Sequence, residues 1–272
     1  MHVGATLRLL RVDAGLGLRE LARRIGVSSA YLSRVEHGLD APPTTDRLGA
    51  IARELGIPPT LLVDVAHRVS PFVASYLEEE PAARTLFLEI ARRGLTAGEL
   101  ARVQAFIEAE LPGRSVPARE ERAAGLAELL TPDRVVLGLE CSNVGDLVDV
   151  AASRLAGATD TPARDLAVLL RRAEEDAPGA IGSGLYLSRA SVVCAAPVAS
   201  VVVLRRPLRE VTPDGLALRV GVVVVRPRRG GASQVQLLRV ARLGARGLAD
   251  ALQDARRPSQ VIAKILELER VR

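Results

Sequence analysis

Between Val27 and Gly38 the chain reads VSSAYLSRVEHG. At helical spacing, Ser29, Ala30, Ser33 and Arg34 share one side of this stretch, and Leu32 and Val35 share the other. Arg34 can donate two parallel hydrogen bonds to guanine, and Ala30 can touch a thymine methyl. Ser29 and Ser33 can reach a base or a phosphate, and Tyr31 can lie against the sugar–phosphate backbone. Ser28 stands where an N-cap belongs, its hydroxyl able to accept from the next turn. Thr44 and Thr45 start the following helix and, with Arg47, are candidate phosphate contacts.

The elements that position these residues show in the spacing of apolar side chains. Leu7, Leu10, Leu18, Leu21, Ile25, Leu32, Val35, Leu48, Ile51, Leu55 and Leu61 recur at three- and four-residue intervals. Breaks fall at Gly15–Gly17, Gly26, Gly38 to Pro43 and Gly56 to Pro59, which predicts four or five short helices over residues 4–68. A helix over Leu18–Ile25, ended by Gly26 and followed at once by the Ser28 helix, is a helix-turn-helix unit. Ala22 lies where the two helices must come close.

These residues resemble the Cro-repressor (XRE) family of DNA-binding domains. Arg11, Leu21-Ala22, Gly26-Val27-Ser28 and Glu36-His37-Gly38 stand in the family's register. The resemblance implies that the second helix lies in the major groove of double-stranded DNA, and that Arg11 pairs with Glu36 to clamp the first helix to it. It also implies a dimer on a palindromic operator, because one such domain contacts few phosphates. The family often has Gln where this chain has Leu18.

Composition sets wider bounds. The 272 residues are 48% hydrophobic but only 2% aromatic, so the core must be aliphatic. Net charge is +5, which permits a nucleic-acid partner without demanding one. Lys264 is the sole lysine among 37 basic residues, so arginine abundance by itself says little. Residues 4–68 hold nine Arg against seven acids, a weak basic excess. Cys141 and Cys194 have no metal-ligand spacing and fit buried thiols in a reducing cytoplasm. No signal-peptide core and no membrane-length apolar run is present, so we expect a cytoplasmic, nucleoid-associated protein with no membrane partner, metal or cofactor.

Residues 71–110 read as a second helical block. Phe72, Tyr76, Leu86, Phe87, Ile90, Phe106 and Ile107 concentrate its apolar surface, which suits burial against a second copy or against the first domain. LPGRSVPAREERAAG then has linker composition. Beyond Thr131, RVVLGLE, VASVVVL and LALRVGVVVV read as strands, with helices expected over Val144–Leu155, Pro162–Glu175, Val235–Leu252 and Pro258–Leu268.

With its flanks, PGAIGSGLYLSRA (Pro178–Ala190) resembles the type-2 enzyme IIA domain of the sugar phosphotransferase system. That family carries a phosphoryl group on a histidine after a Gly-rich loop and a short strand, here Leu185–Leu187. Arg189 occupies the histidine's place and Ser188 that of its neighbouring Pro. The histidines are His2, His37 and His67, none of them in this half of the chain. A guanidinium cannot accept a phosphoryl group, so the family's relay is absent. The resemblance leaves a possible anion site of Arg171 or Arg172, Arg189 and the amides of Gly182, Ser183 and Gly184, open to a small anionic effector. A protein contact and an inert scaffold are the other readings. The loop has neither P-loop nor Rossmann spacing.

We therefore expect a multidomain chain: an all-α helix-turn-helix domain (1–68), a helical dimerisation or linking segment (69–111), a linker (112–125) and a degenerate IIA-like α/β domain with a mixed sheet (126–272). The expected function is that of a non-enzymatic, sequence-specific transcriptional regulator that acts as a repressor. The alternatives are a protein-interaction adaptor of antitoxin type, and a phosphotransfer component using Ser188 or Cys194.

Overall fold

Five short helices form where the leucine spacing places them: α1 (Val3–Asp13), α2 (Leu18–Arg24), α3 (Ser29–Glu36), α4 (Thr45–Glu54) and α5 (Pro59–Val65). Helices this short are not stable alone and depend on burying an apolar stripe. Leu7, Leu10, Leu48, Ile51, Leu61 and Leu62 are each no more than 2% exposed. Gly4 sits where α1 crosses α3. A Cβ there would lie 2.0 Å from the Val35 carbonyl oxygen, so only glycine admits the approach.

The structure is a computed structural model that describes residues 2–66, 76–77, 80–110, 124–228 and 233–270. The chain divides into two compact units, Met1–Arg68 with Arg122–Arg272, and Val69–Glu121.

In the first unit the valine-rich runs form one mixed sheet of β1 (Val135–Leu139), β2 (Ala180–Gly182), β3 (Leu185–Val192), β4 (Val198–Val211) and β5 (Ala217–Pro227), in the order β1-β4-β5-β3-β2. β1 runs parallel to β4 and β3 parallel to β5, while β4–β5 and β2–β3 are antiparallel. Successive residues serve opposite faces. Val202, Leu204, Val223 and Val225 pack with Leu147, Leu155, Leu166 and Leu170 of α8 (Val144–Leu155) and α9 (Ala163–Asp176). Val201, Val203, Val222 and Val224 face the other way, toward α10 (Ser233–Ala245), α11 (Leu248–Leu252) and α12 (Pro258–Arg270). Burial on both faces explains why these strands are unbroken valine runs rather than alternating ones.

That second face does not stop at the sheet domain. Val3, Leu7, Leu10, Leu61 and Leu62 belong to the same continuous core as Ile181, Val222, Leu237 and Leu238. His2 N–H donates to the Ile181 carbonyl (2.9 Å), and Arg242 of α10 pairs with Asp64 of α5 (3.0 Å). The N-terminal helices and the sheet therefore share one interior.

Two expectations need correction. The strand expected at Leu185–Leu187 continues to Val192, because parallel pairing with β5 carries on from Leu185–Val220 to Val192–Pro227. Arg189 thus lies inside a strand and not in the loop that follows one. The single helix expected over Val235–Leu252 breaks at Gly247 (φ 83°), which separates α10 from α11.

The second unit is described through α6 (Pro81–Arg93) and α7 (Ala97–Glu110). Thr96 and Glu99 form a reciprocal capping box: Thr96 N–H donates to Glu99 Oε2 (2.8 Å), and Glu99 N–H donates to Thr96 Oγ1 (3.4 Å). No residue of α6 is buried, and Leu86, Phe87, Leu88, Leu100, Phe106 and Ile107 are exposed. Phe72 lies outside the described residues.

Candidate nucleic-acid interface

The turn between α2 and α3 is built from two local devices. Gly26 takes φ 71°, which closes α2 without Cβ strain. Ser28 Oγ then accepts from the Tyr31 amide (3.1 Å) and caps α3. Leu21, Ala22 and Leu32 form a small core of their own between the helices, each 1% exposed.

Behind α3, Arg11 grips Glu36 through two parallel hydrogen bonds, Nε–Oε1 and Nη2–Oε2, each 2.7 Å. Arg11 Nη1 also donates to the Leu16 carbonyl (2.8 Å). One buried guanidinium thus fixes the end of α3, the body of α1 and the turn leading to α2.

The outer face of α3 gathers the residues expected from its spacing. Ser28, Ala30 and Arg34 are exposed, and Ser29, Tyr31 and Ser33 are half-buried. Leu32, Val35 and Glu36 point inward. Arg47 lies over the Tyr31 ring, its guanidinium carbon 4.9 Å from the centroid, so α4 meets α3 through a cation–π contact. Thr44 is the N-cap of α4 yet makes no side-chain cap bond, and Thr45 opens the helix. The first amides of α4 are thus left without a side-chain cap, beside the exposed Arg47.

One residue on this face escaped the sequence reading. Asp40 holds Arg34, with Nη2–Oδ1 at 2.8 Å and Nε at 3.0 and 3.1 Å from the two carboxylate oxygens. Arg34 lowers the Asp40 pKa chiefly through that hydrogen bond. Arg34 is therefore held by a carboxylate that any other acceptor must displace. The six-residue separation across the Gly38 turn was the available signal.

The anion-site residues do not all come together. Arg171 pairs with Asp149 of α8 and lies on the exposed side of α9. Gly182, Ser183 and Gly184 form the turn between β2 and β3, where the Ser183 amide donates to Asp214 Oδ2 (2.6 Å). Arg189 is five positions along β3, about 17 Å from that turn at the rise of a strand. Only Arg172 and Arg189 share a recess. It is a cleft of about 220 Å³ whose lining includes Asp13, Arg172, Asp176, Arg189 and Arg226.

Arg189 is 5% exposed, and its partner there is Asp13 at the end of α1 (Nε–Oδ1 3.3 Å). Arg226 of β5 binds the same oxygen at 2.6 Å and also donates to Ser191 Oγ (3.1 Å). Burial lowers the Arg189 pKa, with Asp13 opposing the shift. This triad joins residues separated by 176 and 213 positions, and no local pattern announces it.

Among the described residues no helix is long and apolar enough to cross a membrane, and no group of three His, Cys, Asp or Glu side chains is placed to hold a metal. Comparison with known proteins adds the following. Residues 2–64 match the family model described as "Helix-turn-helix domain". Two curated relatives, both named uncharacterized HTH-type transcriptional regulators, come from Mycobacterium tuberculosis strains CDC 1551 / Oshkosh and H37Rv. Each is 35% identical over 86 residues, 32% of this chain, and the match spans 61% of the relative's length. Among solved structures, the nitrogen regulatory protein IIA-Ntr from Neisseria meningitidis aligns with 51% of this chain and 97% of its own, at 17% identity and a TM-score of 0.46. Residues 2–64 of this chain are thus a helix-turn-helix domain, joined through a common core to a five-stranded mixed α/β sheet.

Proposed function

We propose that the protein is a sequence-specific, DNA-binding transcriptional regulator, acting as a repressor in the cytoplasm at the nucleoid. The observation that carries this is the outer face of α3. Ser29, Ala30, Ser33 and Arg34 stand together there, with Ala30 and Arg34 exposed and Ser29 and Ser33 half-buried. Arg34 reads guanine, the serines reach base or phosphate, and Arg47, Thr44 and Thr45 hold the backbone.

The protein acts as a dimer on a palindromic site. In support, α6 buries none of its residues, and Phe87 and Phe106 are 55% and 62% exposed in the single chain. Apolar surface of that kind is commonly covered by a second copy.

The sheet domain is non-catalytic in this reading. Arg189 is locked to Asp13. Ser188 is 1% exposed, and burial raises the Cys194 thiol pKa, with Asp160 adding to the shift, so neither is an activated nucleophile. The test is selection of bound duplexes from a randomised pool by the full chain. Enrichment of an inverted repeat supports the proposal, and a pool that stays random at moderate salt rejects it.

A further inference from the structure

The outer face of α3 ends in a histidine. His37 comes seven residues after Ala30, four after Ser33 and three after Arg34, the spacings that bring side chains to one side of a helix. It is the C-cap of α3, and its N–H still makes the helical bond to the Ser33 carbonyl (3.0 Å), so the outer row continues through it. His37 is exposed, whereas Leu32, Val35 and Glu36 are buried on the opposite side.

The ring is tethered in one orientation. Its Nδ1 lies 2.7 Å from the Ser33 carbonyl oxygen. A carbonyl oxygen only accepts, so Nδ1 carries the hydrogen. In a neutral imidazole that leaves the other nitrogen, Nε2, as an acceptor on the edge turned away from the helix. The helix end does not need this bond, because the Ser33 carbonyl already has its backbone partner. Its effect is to fix the tautomer and the direction of a ring that no core packing holds.

We infer that His37 reads a base, its Nε2 accepting a hydrogen bond from the exocyclic amino group of adenine or cytosine in the major groove. The inference rests on the DNA reading proposed above and adds to that face a chemistry it otherwise lacks. Arg34 only donates, and a serine hydroxyl donates or accepts as the base requires. A fixed acceptor discriminates: adenine N6 and cytosine N4 offer it a hydrogen, whereas guanine O6 and thymine O4 are acceptors and repel it. Three residues of helix separate Arg34 from His37, about 4.5 Å along the axis. One base step is about 3.4 Å. The amino base is therefore the neighbour of the base read by Arg34.

The test compares the full chain, His37→Ala and Arg34→Ala on one randomised duplex pool at fixed salt. The parent is expected to prefer adenine or cytosine over guanine and thymine at the position beside the one that Arg34→Ala erases. His37→Ala should lose that preference and keep the others. Measured on single duplexes, the variant should bind the preferred one about three- to tenfold more weakly than the parent does. On a duplex carrying guanine or thymine at that position the two proteins should bind alike. An even fall across all sequences would make His37 a backbone or packing residue and overturns the inference. A His37-dependent preference for guanine or thymine overturns the assigned tautomer, and the inference with it. If Arg34→Ala erases its position while His37→Ala matches the parent, the DNA reading stands and the role of His37 alone falls. A pool that no protein enriches removes both.

Discussion

Two arginine–carboxylate contacts in this protein have similar chemistry and opposite consequences. At Arg34–Asp40 the arginine side chain is 57% exposed, so the pair can exchange its partner for another acceptor. At Arg189–Asp13 the side chains are 6% and 3% exposed, and the pair fastens α1 to the sheet. Desolvation makes the difference. An exposed pair gains little and is screened by salt. A buried pair cannot lose one member without stranding the other. A count of arginines sees no distinction between the two. Position in the fold decides which one is open to exchange and which one is sealed.

The strongest way to break the comparison is to remove one partner of each pair. Asp13→Ala leaves Arg189 and Arg226 facing a buried site without their carboxylate. We expect a loss of about 3–5 kcal/mol in urea unfolding of the full chain. A loss like that of an exposed pair would show that the triad is not a structural joint.

Helix α3 depends on close packing as well as on charge. Gly4→Ala places a methyl group on the Val35 carbonyl. The expected cost is about 1–3 kcal/mol, read as a lower denaturation midpoint. An unchanged midpoint would mean that α1 and α3 do not cross as closely as described.

At the exposed pair the effects should appear in binding and leave folding untouched. Arg34→Ala should cost about tenfold in discrimination at one base pair. Arg47→Ala should weaken all sequences evenly and reduce the salt slope. Asp40→Asn removes both a competitor for Arg34 and a negative charge on the proposed DNA face, so affinity should rise several-fold with an unchanged melting temperature. A fall in affinity would show that Asp40 aims Arg34 instead of restraining it.

The smallest effect is a pH dependence at the N-terminus. His2 caps α1 by accepting from the Ala5 amide through Nδ1 (3.1 Å), a role for the neutral ring. Burial lowers its pKa, with Asp214 opposing. Below the unfolded value of about 6.5 the unfolded chain takes up the proton first, so this contribution is present above that pH and fades as pH falls. His2→Asn, a cap that does not titrate, should flatten the stability profile below about pH 6.5.

The local parts of the fold were legible because local forces make them. Gly26, Ser28 and the leucine spacing mark the turn and the start of α3 within a few residues of sequence. The valine runs declared strands covered on both faces. What the sequence hid is long-range. Nothing near Arg189 points to Asp13, 176 positions away, and nothing in Val3 or Leu61 reveals that they share a core with Val222. The residues grouped as an anion site were neighbours along the chain, yet strand geometry carried Gly182–Gly184 to the far end of β3, and Arg172 lies beside Arg189 while Arg171 turns away toward Asp149.

The most direct test of the account is a base-by-base specificity profile of the full chain and of Arg34→Ala, each measured on the same randomised duplex pool at fixed salt. The account predicts that the variant loses its preference at a single position in each half-site and keeps the rest. An identical profile from the two proteins would contradict the placement of α3 against the bases.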